Sequence, residues 1–122
     1  MEQGTVTKLS SQQLDQLWTE HLKGEFETKD VEATLATMVD DAYVNMPVNT
    51  GGRGKEALRI FYRDDFIPSW PGDVDIIPTN RVVGDGQLVD ELHLTFSHSK
   101  PMNWFLPNVP RPTRRSRLIS SW

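Results

Sequence analysis

The sequence predicts a single α+β domain in which helices come first and a long β-hairpin follows. Three stretches carry apolar residues at helical spacing, and two later runs are rich in β-forming residues. An Asp-Gly pair joins those two runs and supplies the positive φ angles that tight hairpins need. With 122 residues, the chain has the usual length of one domain with its own hydrophobic core.

Composition and charge exclude several classes of function. The chain contains no Cys, which excludes disulfide scaffolds, thiolate metal sites and cysteine nucleophiles. Its formal net charge of −4 provides no general attraction to nucleic acid or to anionic lipid. Neither a secretory leader nor an apolar run of membrane-spanning length is visible. We therefore expect a cytoplasmic protein without nucleic-acid or membrane partners.

The helices are predicted from caps and from apolar stripes. Ser10 and Gln13 have the spacing of a capping box, and Asp30 is the predicted cap of a second helix. Gly24 weakens the end of the first helix. The third helical stripe ends near the segment 68–72, where Pro and Gly interrupt regular structure. The first stripe is unusual because it carries polar residues among apolar ones: Leu14, Leu17, Trp18, His21, Leu22 and Glu25.

The two β-rich runs, 74–83 and 87–98, are joined by Gly84-Asp85-Gly86. Side chains alternate between the two faces of a strand, so every second residue of the later run points the same way. We expect the core-facing set to be Leu88, Asp90, Leu92, Leu94, Phe96 and His98. The Gly-rich segment 50–54 lacks the phosphate-loop patterns and is predicted to be a tight turn.

Asp90 and His98 are the predicted catalytic residues because both belong to this apolar-facing set. A carboxyl group buried without a partner has a raised pKa, which suits a general base or acid. The alternative is that Asp90 is solvated or pairs with Arg81 across the hairpin. An imidazole titrates near neutral pH, so His98 is a candidate proton shuttle, although a structural role for this His is equally consistent.

Further pocket residues are predicted from their positions. Trp18 and His21 share the inner stripe of the first helix, so they either line the pocket or pack in the core. Tyr43 and Asn45 share one strand face and are candidate hydrogen-bond donors to a carbonyl or enolate oxygen, although a role as ordinary strand residues is equally consistent. The three His residues lack the spacing of a zinc motif. We expect neither a metal nor a cofactor.

Several segments resemble SnoaL-like proteins, a polyketide cyclase-related family of the NTF2-like superfamily. They are W-T-E-H-L-K-G-E-F-E-T-K-D (18–30), A-T-L-A-T-M (33–38), T-G-G-R-G (50–54), V-D-E-L-H-L-T-F-S-H (89–98) and N-W-F-L-P (103–107). The resemblance implies a cone-shaped, cystatin-like α+β fold, with three helices packed on a curved mixed or antiparallel sheet. It also implies one pocket, and often a dimer.

The resemblance further implies a function for that pocket. Such proteins are cyclases, isomerases, dehydratases, hydrolases or plain binding proteins, and Asp90 or Glu91 matches their proton-transferring carboxylate. With Trp104 as a further binding residue, we expect cofactor-free proton transfer on a small hydrophobic carbonyl compound by a homodimer or higher homo-oligomer. The alternative is a non-catalytic ligand-binding or dimerisation module. The domain is predicted over 1–113 and an irregular tail over 114–122, so the last two family strands are expected to be missing.

Overall fold

A computed structural model describes residues 9–110 and 115–121 of the protein, the last of these as backbone. The helices are α1 (Ser11–Leu22), α2 (Val31–Ala36) and α3 (Lys55–Phe61). The strands are β1 (Tyr43–Asn45), β2 (Gly51–Arg53), β3 (Asp75–Gly84), β4 (Gln87–Ser97) and β5 (Arg115–Ser121). Wider π-helical turns extend α1 over Lys23–Glu27 and α3 over Tyr62–Phe66, and a short helical turn, Ile67–Ser69, follows.

The predicted helix starts are confirmed by the hydrogen bonds of their caps. The backbone N–H of Gln13 donates to Oγ of Ser10 at 3.1 Å, and the Ser10 N–H donates to Oε1 of Gln13 at 2.9 Å. This reciprocal pair satisfies two N–H groups at the start of α1. Oδ1 of Asp30 accepts from the N–H of Ala33 at 3.1 Å and caps α2 in the same manner.

The π-helical turn after α1 packs closely on α2. A Cβ atom added to Gly24 would lie 2.6 Å from Oγ1 of Thr34, so only glycine permits this approach. Thr34 itself is completely buried, and its hydroxyl donates to the backbone oxygen of Asp30 at 2.9 Å. Gly24 weakens helical propensity, yet it lets the chain bring the next residue, Glu25, into the interior.

The strands form two antiparallel sheets, whereas the resemblance implies one curved sheet, mixed or antiparallel. In one sheet β1 pairs with β2, and in the other the order is β3-β4-β5. The segment predicted to be a tight turn, 50–54, largely forms β2, which pairs with β1. Glycine is required at position 51, because a Cβ there would collide with the carbonyl oxygen of Val44. The architecture is therefore α+β with two small antiparallel sheets.

The predicted hairpin and its alternation are confirmed. β3 and β4 pair in antiparallel register around Asp85 and Gly86, whose φ angles are 54° and 73°. A bulge between Pro78 and Asn80 interrupts the register. Along β4 the set expected to face the core is the less exposed one, and all of its members except Leu88 are fully buried. This face packs against the helices.

The C-terminal segment differs from its prediction. The segment 114–122 was predicted to be irregular, but the backbone of Arg115–Ser121 pairs antiparallel with β4 as β5. Without β5, one edge of β4 would have unpaired backbone N–H and C=O groups, and β5 forms hydrogen bonds with them. The Pro and Arg content of this segment had indicated a solvated tail instead. The predicted boundary at 113/114 and residue 122 lie outside the described residues.

The core lies between the inner face of β4 and the helices. Aromatic rings dominate it: Trp70 packs edge-on against Phe96 at 5.1 Å between centroids and lies 5.8 Å from both Phe66 and Trp104. Leu58 and Leu92 complete the centre and are almost fully buried. Within the described ranges, no helix combines the length and the apolar character needed to cross a bilayer.

Candidate functional site

A cavity of about 300 Å³ opens between α1, β1 and the π-helical turn that follows α3. We call it the Glu25 cavity. Most of its walls are apolar, and a small group of polar side chains is placed among them, which is typical of sites for small organic molecules. The lining residues are Leu14, Leu17, Trp18, His21, Glu25, Thr37, Met38, Tyr43, Val44, Met46, Tyr62 and Leu88.

His21 and Glu25 form the polar centre of this cavity. They are one helical turn apart, and Nε2 of His21 lies 3.0 Å from Oε2 of Glu25. The side chain of Glu25 is 2% exposed. Its other oxygen, Oε1, is buried and has no hydrogen-bond partner among the described residues. A buried acceptor left in this way is unusual in proteins and marks a group available to a bound molecule.

The orientation of the His21 ring is set by Thr37. The Thr37 hydroxyl donates its only proton to the backbone oxygen of Thr34 at 2.6 Å. Its oxygen therefore accepts from Nδ1 of His21, which lies 2.7 Å away. Trp18 stacks on the same imidazole, with ring centroids 5.2 Å apart. These contacts place the proton on Nδ1 and direct Nε2 toward Glu25.

A shared proton follows from this geometry. With Nδ1 protonated, the 3.0 Å contact between Nε2 of His21 and Oε2 of Glu25 needs one proton between them. The pair is then either an imidazolium with a carboxylate or a neutral imidazole with a carboxylic acid. The two forms differ only in the position of that proton along the contact between Nε2 and Oε2.

Tyr62 contributes a neutral phenol beside this pair. Its hydroxyl lies 3.5 Å from Nε2 of His21, and the residue is 1% exposed. Burial raises the pKa of the Tyr62 phenol far above its ordinary value, and the negative charge of Glu25 and a hydrogen-bonding interaction with the Glu25 carboxyl group raise it further. Tyr62 is therefore a hydrogen-bond donor and not a phenolate at physiological pH.

Asp90, the first predicted general base, is fully engaged in hydrogen bonds. Nε of Arg81 donates to its Oδ1 at 3.1 Å, and Nη2 of Arg81 donates to its Oδ2 at 3.2 Å. Nε1 of Trp18 also donates to Oδ2 at 2.7 Å. Asp90 is 1% exposed and does not line the Glu25 cavity. This geometry matches the alternative interpretation, in which Asp90 pairs with Arg81 across the hairpin.

The other predicted catalytic and carboxylate residues also lie apart from the cavity. His98 is buried near the end of the core-facing series of β4 and does not line the Glu25 cavity. Glu91 is exposed on the opposite face of β4, where its Oε1 accepts from Nδ2 of Asn80 at 3.4 Å. Alternation along the strand separates Glu91 from the interior, as it separates neighbouring residues in any strand.

The remaining predicted residues divide between two cavities. Trp18, His21 and Tyr43 line the Glu25 cavity, and Tyr43 also lies under the guanidinium of Arg53 at 5.0 Å. Asn45 and Trp104 line a second cavity of about 540 Å³. We call this the Trp70 cavity. Its lining residues are Phe26, Asn45, Met46, Pro47, Asn49, Phe66, Trp70, Leu94, Trp104 and Phe105.

Three residues of the site carried little signal in the sequence. Glu25 was recognisable as a polar position on the apolar stripe of the first helix, at i,i+4 from His21. Tyr62 belonged to an ordinary helical stripe, and Thr37 belonged only to the quoted segment 33–38, where nothing marked it as a site residue. Their convergence depends on packing between α1, α2 and the extension of α3, which separate parts of the chain supply.

In the part of the chain that the structure describes, no three His, Asp or Glu residues are grouped so as to hold a metal ion. The polar centre of the Glu25 cavity is composed of an imidazole, a carboxyl group and two hydroxyl groups. Comparison with protein families, with curated proteins and with solved structures gives no match to this chain.

Proposed function

We propose that the protein binds a small hydrophobic carbonyl compound in the Glu25 cavity and transfers a proton to or from it without a cofactor. One observation carries this proposal: Oε1 of Glu25 is buried without a partner among the described residues, while Oε2 lies 3.0 Å from Nε2 of His21. A carboxyl group that is coupled to an imidazole on one side and open on the other is suited to proton transfer.

The proposed step begins with removal of a proton from the carbon next to the carbonyl group. Oε1 of Glu25 accepts this proton, and the electron pair of the C–H bond moves to give an enolate. The neutral Tyr62 hydroxyl donates a hydrogen bond to the enolate oxygen, where negative charge develops. Return of the proton to the same or another carbon completes exchange or isomerisation, and no oxidant or reductant is needed.

His21 is the second group that takes part in the proposed proton transfer. Its Nδ1 is fixed by Thr37, so its Nε2 remains directed at Oε2 of Glu25 throughout the cycle. When Oε1 of Glu25 takes up a proton, the proton on the opposite side of the carboxyl group can move to the imidazole. The pair then carries one positive charge, which lies beside the negative charge of the enolate, so neither charge is isolated in the interior.

The NTF2-like cone and membership of the SnoaL-like family belong to the same proposal. They are supported by the quoted sequence segments, by the α+β architecture and by a cavity between the helices and a sheet face. The proposal differs from the resemblance in one respect. The proton-transferring carboxylate is assigned to Glu25 on the first helix rather than to Asp90 or Glu91 on β4.

The alternative function is that of a non-catalytic ligand-binding module. It is favoured by the complete hydrogen bonding of Asp90, which makes the most conspicuous buried carboxylate a structural group. The two functions share the Glu25 cavity and differ only in whether the ligand gains or loses a proton there. They are therefore separated by measuring binding and proton exchange on the same compound.

Propiophenone, a small aryl ketone, is a suitable probe for this test. Its α-CH₂ protons exchange with deuterium in D₂O buffer, and the loss of their ¹H NMR signal gives the exchange rate. We expect wild-type protein to accelerate exchange and Glu25→Gln to slow the accelerated rate by roughly 100-fold or more, as for loss of a general base. Glu27→Gln, an exposed site two residues away, is the matched control and should retain the wild-type rate.

Binding of propiophenone is measured in parallel by saturation-transfer NMR, and folding of each variant by circular dichroism. An equal exchange rate in Glu25→Gln and wild-type protein would refute the assignment of Glu25. Binding without accelerated exchange in wild-type protein would refute the catalytic function and support the binding module.

A further inference from the structure

We propose that the Trp70 cavity is a second ligand site, which takes a neutral, largely aromatic molecule carrying one hydrogen-bond acceptor such as a carbonyl oxygen. The cavity has a volume of about 540 Å³, within the range of pockets that bind small organic molecules. It is lined by a different set of residues from the Glu25 cavity, since the two share only Met46 among their described lining residues.

Half of the described residues that line the Trp70 cavity are aromatic. Phe26 and Trp70 meet edge to face with centroids 5.1 Å apart, and Trp104 stacks on Phe105 at the same centroid separation of 5.1 Å. Such rings offer both faces and edges. Their contacts with another aromatic ring are more favourable in free energy than the burial of apolar area alone would give. The cavity therefore favours a ligand with an aromatic ring of its own.

The indole of Trp70 provides a polar contact among the aromatic walls, in addition to the Asn45 and Asn49 side chains that also line the cavity. Trp70 is 2% exposed, and its Nε1 donor has no hydrogen-bond partner among the described residues. Trp104 lines the same cavity, but its Nε1 already donates to Oγ of Ser69 at 2.8 Å. A buried donor without an acceptor is costly, and a ligand oxygen that accepts from Trp70 removes that cost.

Charge selects against ionic ligands. None of the described residues that line this cavity is an Asp, Glu, Lys, Arg or His, so a ligand charge would be desolvated without a compensating partner. A cation could be stabilised by aromatic faces, but it would face the positive end of the Trp70 N–H bond. A neutral acceptor is therefore the ligand that both the rings and the donor accommodate.

The test compares two probes of similar shape, 2-acetonaphthone, which has a carbonyl oxygen, and 2-ethylnaphthalene, which has none. Binding is measured by titration calorimetry to wild-type protein and to two variants. Wild-type protein should bind 2-acetonaphthone roughly threefold to tenfold more tightly, as expected for one buried hydrogen bond. Trp70→Phe keeps an aromatic ring but removes the donor. It should therefore abolish this preference while still binding 2-ethylnaphthalene.

Trp104→Phe is the comparison variant, because it removes an indole N–H of the same wall that already donates to Ser69. It should change the affinity for both probes alike and leave the ratio of the two affinities as in wild-type protein. A preference that persists in Trp70→Phe, or equal binding of the two probes to wild-type protein, would overturn the proposal. NMR of wild-type protein provides a measurement without a variant: the Trp70 indole proton should shift downfield with 2-acetonaphthone only. Its failure to do so would also overturn the proposal.

Discussion

Nε2 of His21 lies 3.0 Å from Oε2 of Glu25, inside a cavity whose walls are otherwise mainly apolar. The contact joins two residues of one helical face, and its environment comes from the same helix and from two other parts of the chain. Thr37 fixes the opposite ring nitrogen, Trp18 covers the imidazole face, and Tyr62 places a neutral hydroxyl nearby. The predictions below test this environment, the Arg81–Asp90 pair and the packing that places Glu25.

Thr37→Val should destabilise the protein because it leaves the Nδ1–H of His21 without its acceptor. An unsatisfied buried polar group costs about 1–3 kcal/mol, and this is the expected loss in the free energy of unfolding. Thr37→Ser keeps the hydroxyl and should retain most of the stability. Urea denaturation measures both variants, and ¹⁵N NMR of the His21 ring reports whether Nδ1 remains protonated. A Thr37→Val protein as stable as wild type would contradict the assigned hydrogen bond.

Asp90→Asn should act on stability rather than on chemistry. The change weakens a carboxylate that accepts from both Arg81 and Trp18, and Arg81 also donates to Asp15 at 2.8 Å. Because Arg81 is partly exposed, we expect a loss of about 1–3 kcal/mol, below the range for fully buried pairs. Urea denaturation gives this value. The propiophenone exchange rate per folded molecule should remain within about twofold of wild type. If the exchange rate fell as much as in Glu25→Gln, Asp90 rather than Glu25 would be the general base.

Tyr62 should make the protein lose stability at high pH. The pKa of its phenol is raised in the folded state, chiefly by burial, whereas in the unfolded chain it is about 10. The folded protein therefore binds more protons above that pH, and this contribution to stability is full below about pH 10 and falls by ~1.4 kcal/mol per pH unit above it. Tyr62→Phe should reduce this slope between about pH 10 and 11 in urea denaturation.

Tyr43 provides the control for the Tyr62 prediction, because it is 59% exposed. Tyr43→Phe should retain the wild-type slope of stability against pH. If Tyr62→Phe also retained it, the phenol would ionise normally in the folded protein and the buried position of Tyr62 would be incorrect.

Gly24→Ala should destabilise the protein although alanine favours helices. The added Cβ would lie 2.6 Å from Oγ1 and 3.1 Å from the backbone N of Thr34, so α2 must move. We expect a net loss of about 1–3 kcal/mol, as for overpacked interiors. Gly72→Ala is the control, since an added Cβ there meets nothing within 4 Å. Thermal denaturation should show a lower midpoint for Gly24→Ala alone, and an increase instead would exclude the close contact.

The outward face of the β3–β4 hairpin is the surface on which we propose self-association. Val82 and Val89 are cross-strand partners and are 58% and 46% exposed, and Ile77 on the same face is 52% exposed. Val89→Lys should convert a homodimer or larger oligomer to a monomer, as measured by size-exclusion chromatography with light scattering. Thr79→Lys, on an exposed hairpin position beside the bulge, is the control. A compact wild-type monomer would refute the proposal.

Local structure was predictable because its causes lie within a few residues of each other. The Ser10 and Asp30 caps, the Asp85-Gly86 turn and the alternation of β4 each depend on neighbouring backbone groups or on the period of a strand. These patterns predicted the α+β class and the set of residues that faces the core. They did not predict β5, because the pairing of Arg115–Ser121 depends on the unpaired edge of β4 and not on strong local strand signals.

The sequence placed Asp90 on the apolar face of a predicted strand and indicated Glu25 as a polar position at the end of the first helical stripe. Their burial and their different hydrogen bonding became visible in the folded chain. Arg81 and Trp18, the latter 72 residues away in sequence, converge on Asp90 and satisfy both of its oxygens. Glu25 contacts His21 through Oε2, and its side chain lines a cavity. Hydrogen-bond satisfaction of a buried group depends on long-range packing, which spacing along the chain does not specify.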